Sequence, residues 1–472
     1  MAIRQAANVS LNGPEAVDRR AWLALATAAM AFSLTQINST GTNIAFPSIE
    51  LTFATASRST LSWALSGYSI VLATFMVAGG RLADLFGRRR IFFGGLAVFM
   101  TGSLICATAP RALIFVAGRV VQGLGGALIV PASLALVLPL FPASRRTSAV
   151  AAWASTGSIG SALAPSLAAL IVDAAGWRSV YLMGVPVALV IFFAGRRLLT
   201  ESVRQPTTAK PDLIGMPIGT LAIGLLALAI TQGPKWGWAS FDTVGALVAA
   251  VVLFPLFVVR SLRHPQPLLN LRIFRARTVW SANLANLVMS MMGLSVWFVW
   301  PLFLTGIWKY SLVRAGLAIT PGPVCSASSS LVAGRIADRH GPRGLIAVGS
   351  LLPIFTMVWL ATRLGSAPHY WTEIFPAVCT FGLGFGLTFS PLNGAALAGV
   401  DGAALGEVNA AFNTIRNLGG GLGVAVVVAL LGNARPIPFG SFNRVYVVMA
   451  LLAVFPAVVI AVFYPRRSST LA

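Results

Sequence analysis

Charge is scarce in this chain of 472 residues: only 10% are Asp, Glu, Lys or Arg, against roughly 25% in an average soluble domain. Carboxylates are scarcest, with 12 Asp+Glu against 34 Lys+Arg and a net charge of +22. Lysine is almost missing, with 31 Arg to three Lys, the composition of a GC-rich bacterial gene. Cys106, Cys325 and Cys379 all lie in apolar stretches, and their odd number supports no disulfide framework. His264, His340 and His369 are scattered, and no metal-ligand spacing joins them to the cysteines. No metal or cofactor is expected, and no nucleophile–base pair points to an enzyme. A soluble enzyme, a disordered chain and a coiled coil are all excluded by this composition.

Apolar residues are what the chain has: 57% are hydrophobic, and mean hydropathy is +0.83. A membrane-spanning helix needs roughly 20 apolar residues. Continuous rather than alternating runs argue against a transmembrane barrel. We read fourteen spans, at about 21–46, 61–80, 91–110, 112–138, 149–172, 179–195, 212–231, 242–262, 279–306, 313–334, 344–362, 371–399, 408–431 and 443–464. They are numbered 1–6, linkers A and B, then 7–12. Glu15 and Asp18 interrupt the basic stretch before span 1, so it reads as an uncleaved helix rather than a signal peptide.

Loop charge orients the chain. With the N-terminus in the cytoplasm, inner segments hold 24 Lys+Arg and outer loops nine, leaving Arg119 as the one basic residue inside a span. That asymmetry obeys the positive-inside rule and puts both termini in the cytoplasm. Cations spread over short loops do not form a nucleic-acid surface.

An internal repeat divides the chain. The loop after span 2, Gly80-Arg81-Leu82-Ala83-Asp84-Leu85-Phe86-Gly87-Arg88-Arg89-Arg90, matches the loop after span 8 at six of eleven positions. The second copy is Gly334-Arg335-Ile336-Ala337-Asp338-Arg339-His340-Gly341-Pro342-Arg343-Gly344. Such repeats mark secondary transporters. The expected division is a tail (1–20), a six-helix bundle (21–197), linkers with the two extra helices (198–277), a second bundle (278–464) and a tail (465–472).

Gly80–Arg90 resembles the signature loop of the major facilitator superfamily. Nearly the whole chain is similar to its fourteen-helix drug:proton antiporter branch. Arg119, Gln122, Gly123, Gly125, Gly126 and Ala127 match that branch's motif in span 4. So do Trp177-Arg178 and Val185-Pro186 at span 6, Asp212 and Gly215 at span A, and Arg416, Asn417, Gly419 and Gly420 in span 11. The implied fold is an all-α polytopic membrane protein: two six-helix bundles plus two linker helices, fourteen transmembrane helices in all. The resemblance implies gating for Gly80, Arg81, Asp84, Gly87, Arg88, Arg89, Gly334, Arg335, Asp338, Gly341 and Arg343, the alternative being a tight turn with an orientation signal.

The residues themselves leave several roles open. A charge inside a span is costly, so Arg119 needs a cavity or a partner, with Gln122 on the same face. It is either structural glue or, as the resemblance suggests, part of the proton or substrate pathway. Gln36, Thr40 and Asn43 share one face of span 1, while Asn38 and Thr42 lie nearer the opposite face. One face can satisfy a neighbouring helix while the other lines a cavity. Gly157, Gly160, Ala164 and Pro165 in span 5 resemble the antiporter motif of exporters, with Ala164, Ala168 and Ala169 where Gly is usual; plain packing is the alternative. Trp297 and Trp300 in span 7, and Phe381, Phe385 and Phe389 in span 10, either pack or offer an apolar cavity surface to planar molecules.

Asn38 departs from the family, whose span 1 motif carries Asp there. Asparagine neither binds a proton nor pairs with a cation. The twelve carboxylates all fall in loops, tails or near helix ends. Neutral or anionic substrates are therefore favoured beside Arg119, and a proton carrier must lie elsewhere. The expected function is export of small lipophilic organic compounds (drugs, antibiotics or secondary metabolites) across the bacterial cytoplasmic membrane by alternating access. Expected partners are the small organic substrate, protons and the lipid bilayer, with no nucleic acid, and the chain acts as a monomer. Uptake of a metabolite and a non-transporting membrane sensor are the alternatives. If the signature loop gates, Asp84→Asn impairs transport at near-normal membrane abundance; normal flux in that variant would defeat gating.

Overall fold

The computed structural model describes residues 18–142, 146–201, 212, 214–265, 267, 271–397, 405–432, 434 and 436–465. The described residues are almost entirely helical. In chain order the helices are α1 (Arg19–Thr52), α2 (Arg58–Phe86), α3 (Arg88–Thr108), α4 (Ala112–Val137), α5 (Arg146–Ala175), α6 (Arg178–Leu182) and α7 (Gly184–Leu198). Linker helices α8 (Gly215–Trp236) and α9 (Phe241–Arg263) follow. The rest are α10 (Arg277–Gly306), α11 (Leu312–Ile319), α12 (Pro321–His340), α13 (Pro342–Arg363), α14 (Phe375–Leu397), α15 (Leu405–Leu431) and α16 (Phe439–Phe463).

Each apolar segment read from the sequence falls on a helix, but two that were expected to be continuous are broken. Segment 6 breaks at Met183, between α6 and α7. Pro186 explains this, since its ring conflicts with the carbonyl four residues earlier, at Leu182. Segment 8 breaks at Thr320, where Pro321 opens α12. Segment 10 starts with a π turn over Tyr370–Ile374, because Pro376 has no N–H to complete an α turn. Nine helices among the described residues are long and apolar enough to cross a membrane.

Helix starts follow local chemistry. Ser57, Ser240 and Ser311 each accept a hydrogen bond from the backbone N–H three residues on, capping α2, α9 and α11. Gly87 and Gly341, equivalent positions of the repeat, take φ of 103° and 81°. Only glycine enters that left-handed region freely, so both copies need it to turn between helices.

Packing follows the repeat. In the N-terminal part α3 and α2 lie on α4, and α1 lies on α5. In the C-terminal part α12 and α13 lie on α14, and α10 lies on α15 and α16. The parts meet where α2 touches α15, α5 touches α11 and α1 touches α10. Helix α8 packs on α9 and also spans the α2–α15 seam.

The linker pair has its own anchor. Asp212 Oδ1 accepts from the Gly215 N–H at 2.8 Å and from Arg260 Nε at 2.7 Å, tying the start of α8 to the end of α9. A side chain at Gly215 would collide with the Asp212 carboxylate, 2.2 Å from an added Cβ. The Asp212/Gly215 signature is thus a helix-start device. Burial pushes the Asp212 carboxyl up, but Arg260, the Gly215 N–H and His264 outweigh it and hold the value below the usual range. Its contribution is present above the ordinary value of about 3.9 and is lost as pH falls through the lowered folded value. Asp212→Asn is expected to cost about 1–3 kcal/mol at neutral pH, a deficit that closes only below about pH 4. Thermal unfolding of the solubilised protein across pH checks it.

Candidate functional site

Arg119 is fully buried in α4. Five helices converge on it. Its Nε donates to the Ala64 carbonyl of α2 at 2.7 Å. One terminal nitrogen donates to Asn38 Oδ1 of α1 at 2.5 Å and to Gln122 Oε1 at 2.8 Å. Gln122 Nε2 passes the chain to Ser103 Oγ of α3 at 2.7 Å. The guanidinium lies 4.1 Å from the ring centre of Tyr68 and 5.9 Å from that of Tyr181, at attractive cation–π range. Tyr181 of α6 in turn shares a 3.0 Å hydrogen bond with Thr42 of α1. The second terminal nitrogen, Nη2, is buried with no hydrogen-bond partner among the described residues.

This convergence depends on the close approach of α3 and α4. A Cβ added at Gly102 would sit 2.6 Å from the Gln122 backbone N, and one at Gly125 would sit 2.5 Å from that of Phe99. Gly102 of α3 and Gly125 of α4 therefore let Ser103 reach Gln122, the arginine's neighbour. Among the described residues no carboxylate pairs with Arg119; the neutral amide oxygen of Asn38 accepts its hydrogen bond instead. The partners Ala64, Ser103, Tyr68 and Tyr181 escaped the sequence reading, because a backbone carbonyl and three common side chains on other helices carry no motif.

The two faces of α1 divide as the spacing implied. Asn38 and Thr42 are buried against α4 and α6, whereas Gln36 and Thr40 are half-buried. Asn43 departs from its expected face-mates: it is buried, and neither amide atom has a hydrogen-bond partner among the described residues. In α5, Gly157, Gly160, Ala164 and Ala168 recur along one face. An added Cβ would meet the Phe32 ring at Gly157 and Ser33 Oγ at Gly160, both on α1. Ala164 and Pro165 are buried. Gly157 and Gly160 thus pack closely on α1, while Pro165 lies against Gly316 of α11.

The repeated loops do matching work. Arg89, at the start of α3, donates to the Arg196 carbonyl at the end of α7 at 3.0 Å. Its repeat partner Arg343, at the start of α13, donates to the Ala461 carbonyl near the end of α16. Each places a cation on the carbonyl-rich end of the last helix of its own half. Arg88 reaches the Ala135 carbonyl of α4 at 3.0 Å, and Glu201 accepts from the Arg89 N–H at 3.0 Å. Gly80 and Gly334 lie inside α2 and α12. The side chains of Arg81, Asp84, Arg335 and Asp338 lie outside the described residues.

The aromatic residues also separate. Trp300 and Phe381 are fully buried, so they pack and offer no surface. Trp297, Phe385 and Phe389 are half-buried. Phe385 stacks on Phe389 at 5.1 Å and 10°, and on Phe381 at 6.0 Å and 24°. Arg416 corrects the loop count, which left Arg119 as the one basic residue inside a span although span 11 also contains Arg416. It is an interior residue of the 27-residue α15, so Arg119 is not the one cation within a span.

At the end remote from Arg19 the halves are latched. Arg58, opening α2, pairs with Glu50 of α1 at 2.8 Å. It also donates to the carbonyls of Gly432 and Ala434, just beyond α15, at 2.6 and 3.3 Å. Ser166 of α5 bonds to Thr320 at 2.6 Å. Phe46 of α1 meets Phe298 of α10 edge-on at 4.8 Å. Nothing in the spacing of Glu50 and Arg58 announces this latch.

Comparison with known proteins agrees with this architecture. The chain is 33% identical over 405 residues to "Drug efflux pump JefA" of Mycobacterium tuberculosis, covering 84% of this chain and 78% of that one. It is 31% identical over 434 residues to "Probable actinorhodin transporter" of Streptomyces coelicolor, covering 89% and 73%. To "Methylenomycin A resistance protein" of Bacillus subtilis it is 28% identical over 404 residues, covering 85% and 86%. In fold it is similar to the POT family transporter PepTSo, with a TM-score of 0.68 and 17% identity over 93% of this chain and 97% of that one. A bacterial homologue of the human lysosomal transporter Spinster, solved inward-facing and unoccupied, gives 0.66 and 15%, over 95% and 97%. The sequence profile of the Major Facilitator Superfamily matches residues 23–424, and the chain belongs to that family.

Proposed function

We propose that this protein exports small lipophilic organic compounds across the bacterial cytoplasmic membrane by alternating access. Drugs, antibiotics and endogenous secondary metabolites are the class, and relatives with efflux and resistance names support it. Fourteen crossings with both termini in the cytoplasm fit the helix order and the loop charge. On that orientation the Arg58 latch closes the outer face, so this state opens inward. The repeated loops, each bracing the last helix of its half, keep the bundles rigid as they rock.

The observation that carries the substrate reading is the Arg119–Asn38–Gln122 network. A cation in the membrane interior that lacks a carboxylate does not attract a cationic drug. Neutral or anionic substrates fit this site. Protons drive export, and the carrier is a group other than Asn38. Asn38 is also the feature that favours the second reading, uptake or facilitated diffusion of a metabolite.

Accumulation of neutral planar dyes in an efflux-deficient host, with and without a protonophore, separates the two. Export lowers accumulation, and the protonophore restores it; expression that raises accumulation supports uptake. Within this site, Arg119→Ala removes the donors to Ala64, Asn38 and Gln122 Oε1 and is expected to abolish transport. Arg119→Lys keeps the charge without the planar fork and retains part of the activity. Full flux in the alanine variant, at matched membrane abundance, would reduce Arg119 to packing.

A further inference from the structure

The second interior cation lies in a different setting from the first. Asn413, Arg416 and Asn417 follow i, i+3, i+4 spacing, so they share one face of α15, and all three are half-buried. Among the described residues Arg416 has no ion pair and no hydrogen bond. Its contact is the face of Phe389, 5.9 Å from the ring centre. Phe389 is the partly exposed end of the stacked Phe381–Phe385–Phe389 column, and Phe412 supports it edge-on at 5.7 Å. A charged guanidinium at this depth is costly unless it faces a cavity or a partner. The five donors of Arg119 are mostly consumed, whereas those of Arg416 are open.

We propose that Arg416, Phe385 and Phe389 form a binding site for planar aromatic compounds that carry an anionic group. The guanidinium fork receives a carboxylate through paired, charge-assisted hydrogen bonds. The aromatic body continues the phenylalanine column by offset stacking. Phe389 holds the guanidinium by cation–π attraction while the site is empty. Low polarity around the site strengthens the ionic contact. The site rests on the transport reading above and narrows it from neutral or anionic compounds to aromatic anions.

Two anthraquinones that differ only at one ring substituent test it: rhein, with a carboxylate, and aloe-emodin, with a hydroxymethyl group. Binding to the purified full-length protein is measured at neutral pH, where the carboxylate is ionised. The wild type is expected to prefer rhein by about tenfold, the scale of one charged hydrogen bond. Arg416→Gln removes that preference, and an unchanged thermal unfolding midpoint shows the variant is folded. Phe389→Leu weakens both compounds. If Arg416→Gln does not fold, Arg416→Lys decides, because loss of the bidentate fork must shrink the preference. Equal binding of both compounds by the wild type, or an unchanged preference in the Arg416 variants, overturns the site. Flux of aloe-emodin with a preference independent of Arg416 defeats the site and leaves export standing. An Arg416-dependent preference without flux of either compound upholds the site and defeats export.

Discussion

A positive charge sealed among five helices is the constraint around which the N-terminal half is arranged. Effective desolvation of such an ion costs several kcal/mol, and only good hydrogen bonds and ring faces offset it. Arg119 meets that demand with a backbone carbonyl, two amide side chains and two tyrosine rings. The glycines of α3 and α4 are a consequence: any side chain at Gly102 or Gly125 would push Gln122 or Phe99 away. Gln122 in turn has its amide nitrogen satisfied by Ser103. Packing, polarity and helix spacing here form one solution to one electrostatic problem.

Asn38 changes the chemistry of that solution without changing its shape. An asparagine oxygen accepts the arginine hydrogen bond as a carboxylate oxygen would, so geometry survives. The charge balance does not, because no carboxylate among the described residues pairs with the guanidinium and the amide at this position binds no proton. The α15 arginine adds a second cation, in the other half, with no ion pair among the described residues. Every carboxylate of the described helices lies within a turn of a helix end, so among the described residues Arg119 and Arg416 have no carboxylate at their depth.

Much of this was legible in the sequence, for physical reasons. Hydropathy located the helices because a membrane demands long apolar runs. The repeat was visible because both halves need the same tight turn and the same arginine, Arg89 or Arg343, on a helix end. Helical spacing separated Asn38 and Thr42 from Gln36 and Thr40 on α1, but placed Asn43 with the wrong pair. The α6–α7 and α11–α12 breaks were not read, although Pro186 and Pro321 were there to signal them. The Arg58 latch and the Ala64 carbonyl could not be read, because contacts between remote segments leave no local pattern. Arg416 was miscounted, not misplaced: span 11 already contained it, and the tally of loop charge passed over that placement.

Transport of a planar cation decides whether the neutral residue at position 38 sets substrate charge. Ethidium flux into inverted membrane vesicles would be compared between the wild type and Asn38→Asp at equal abundance. The wild type is expected to move aloe-emodin but not ethidium, and Asn38→Asp, which restores a counter-charge beside Arg119, is expected to gain ethidium transport. Ethidium flux in the wild type as fast as in Asn38→Asp would contradict the claim that Arg119 stands uncompensated and excludes cations.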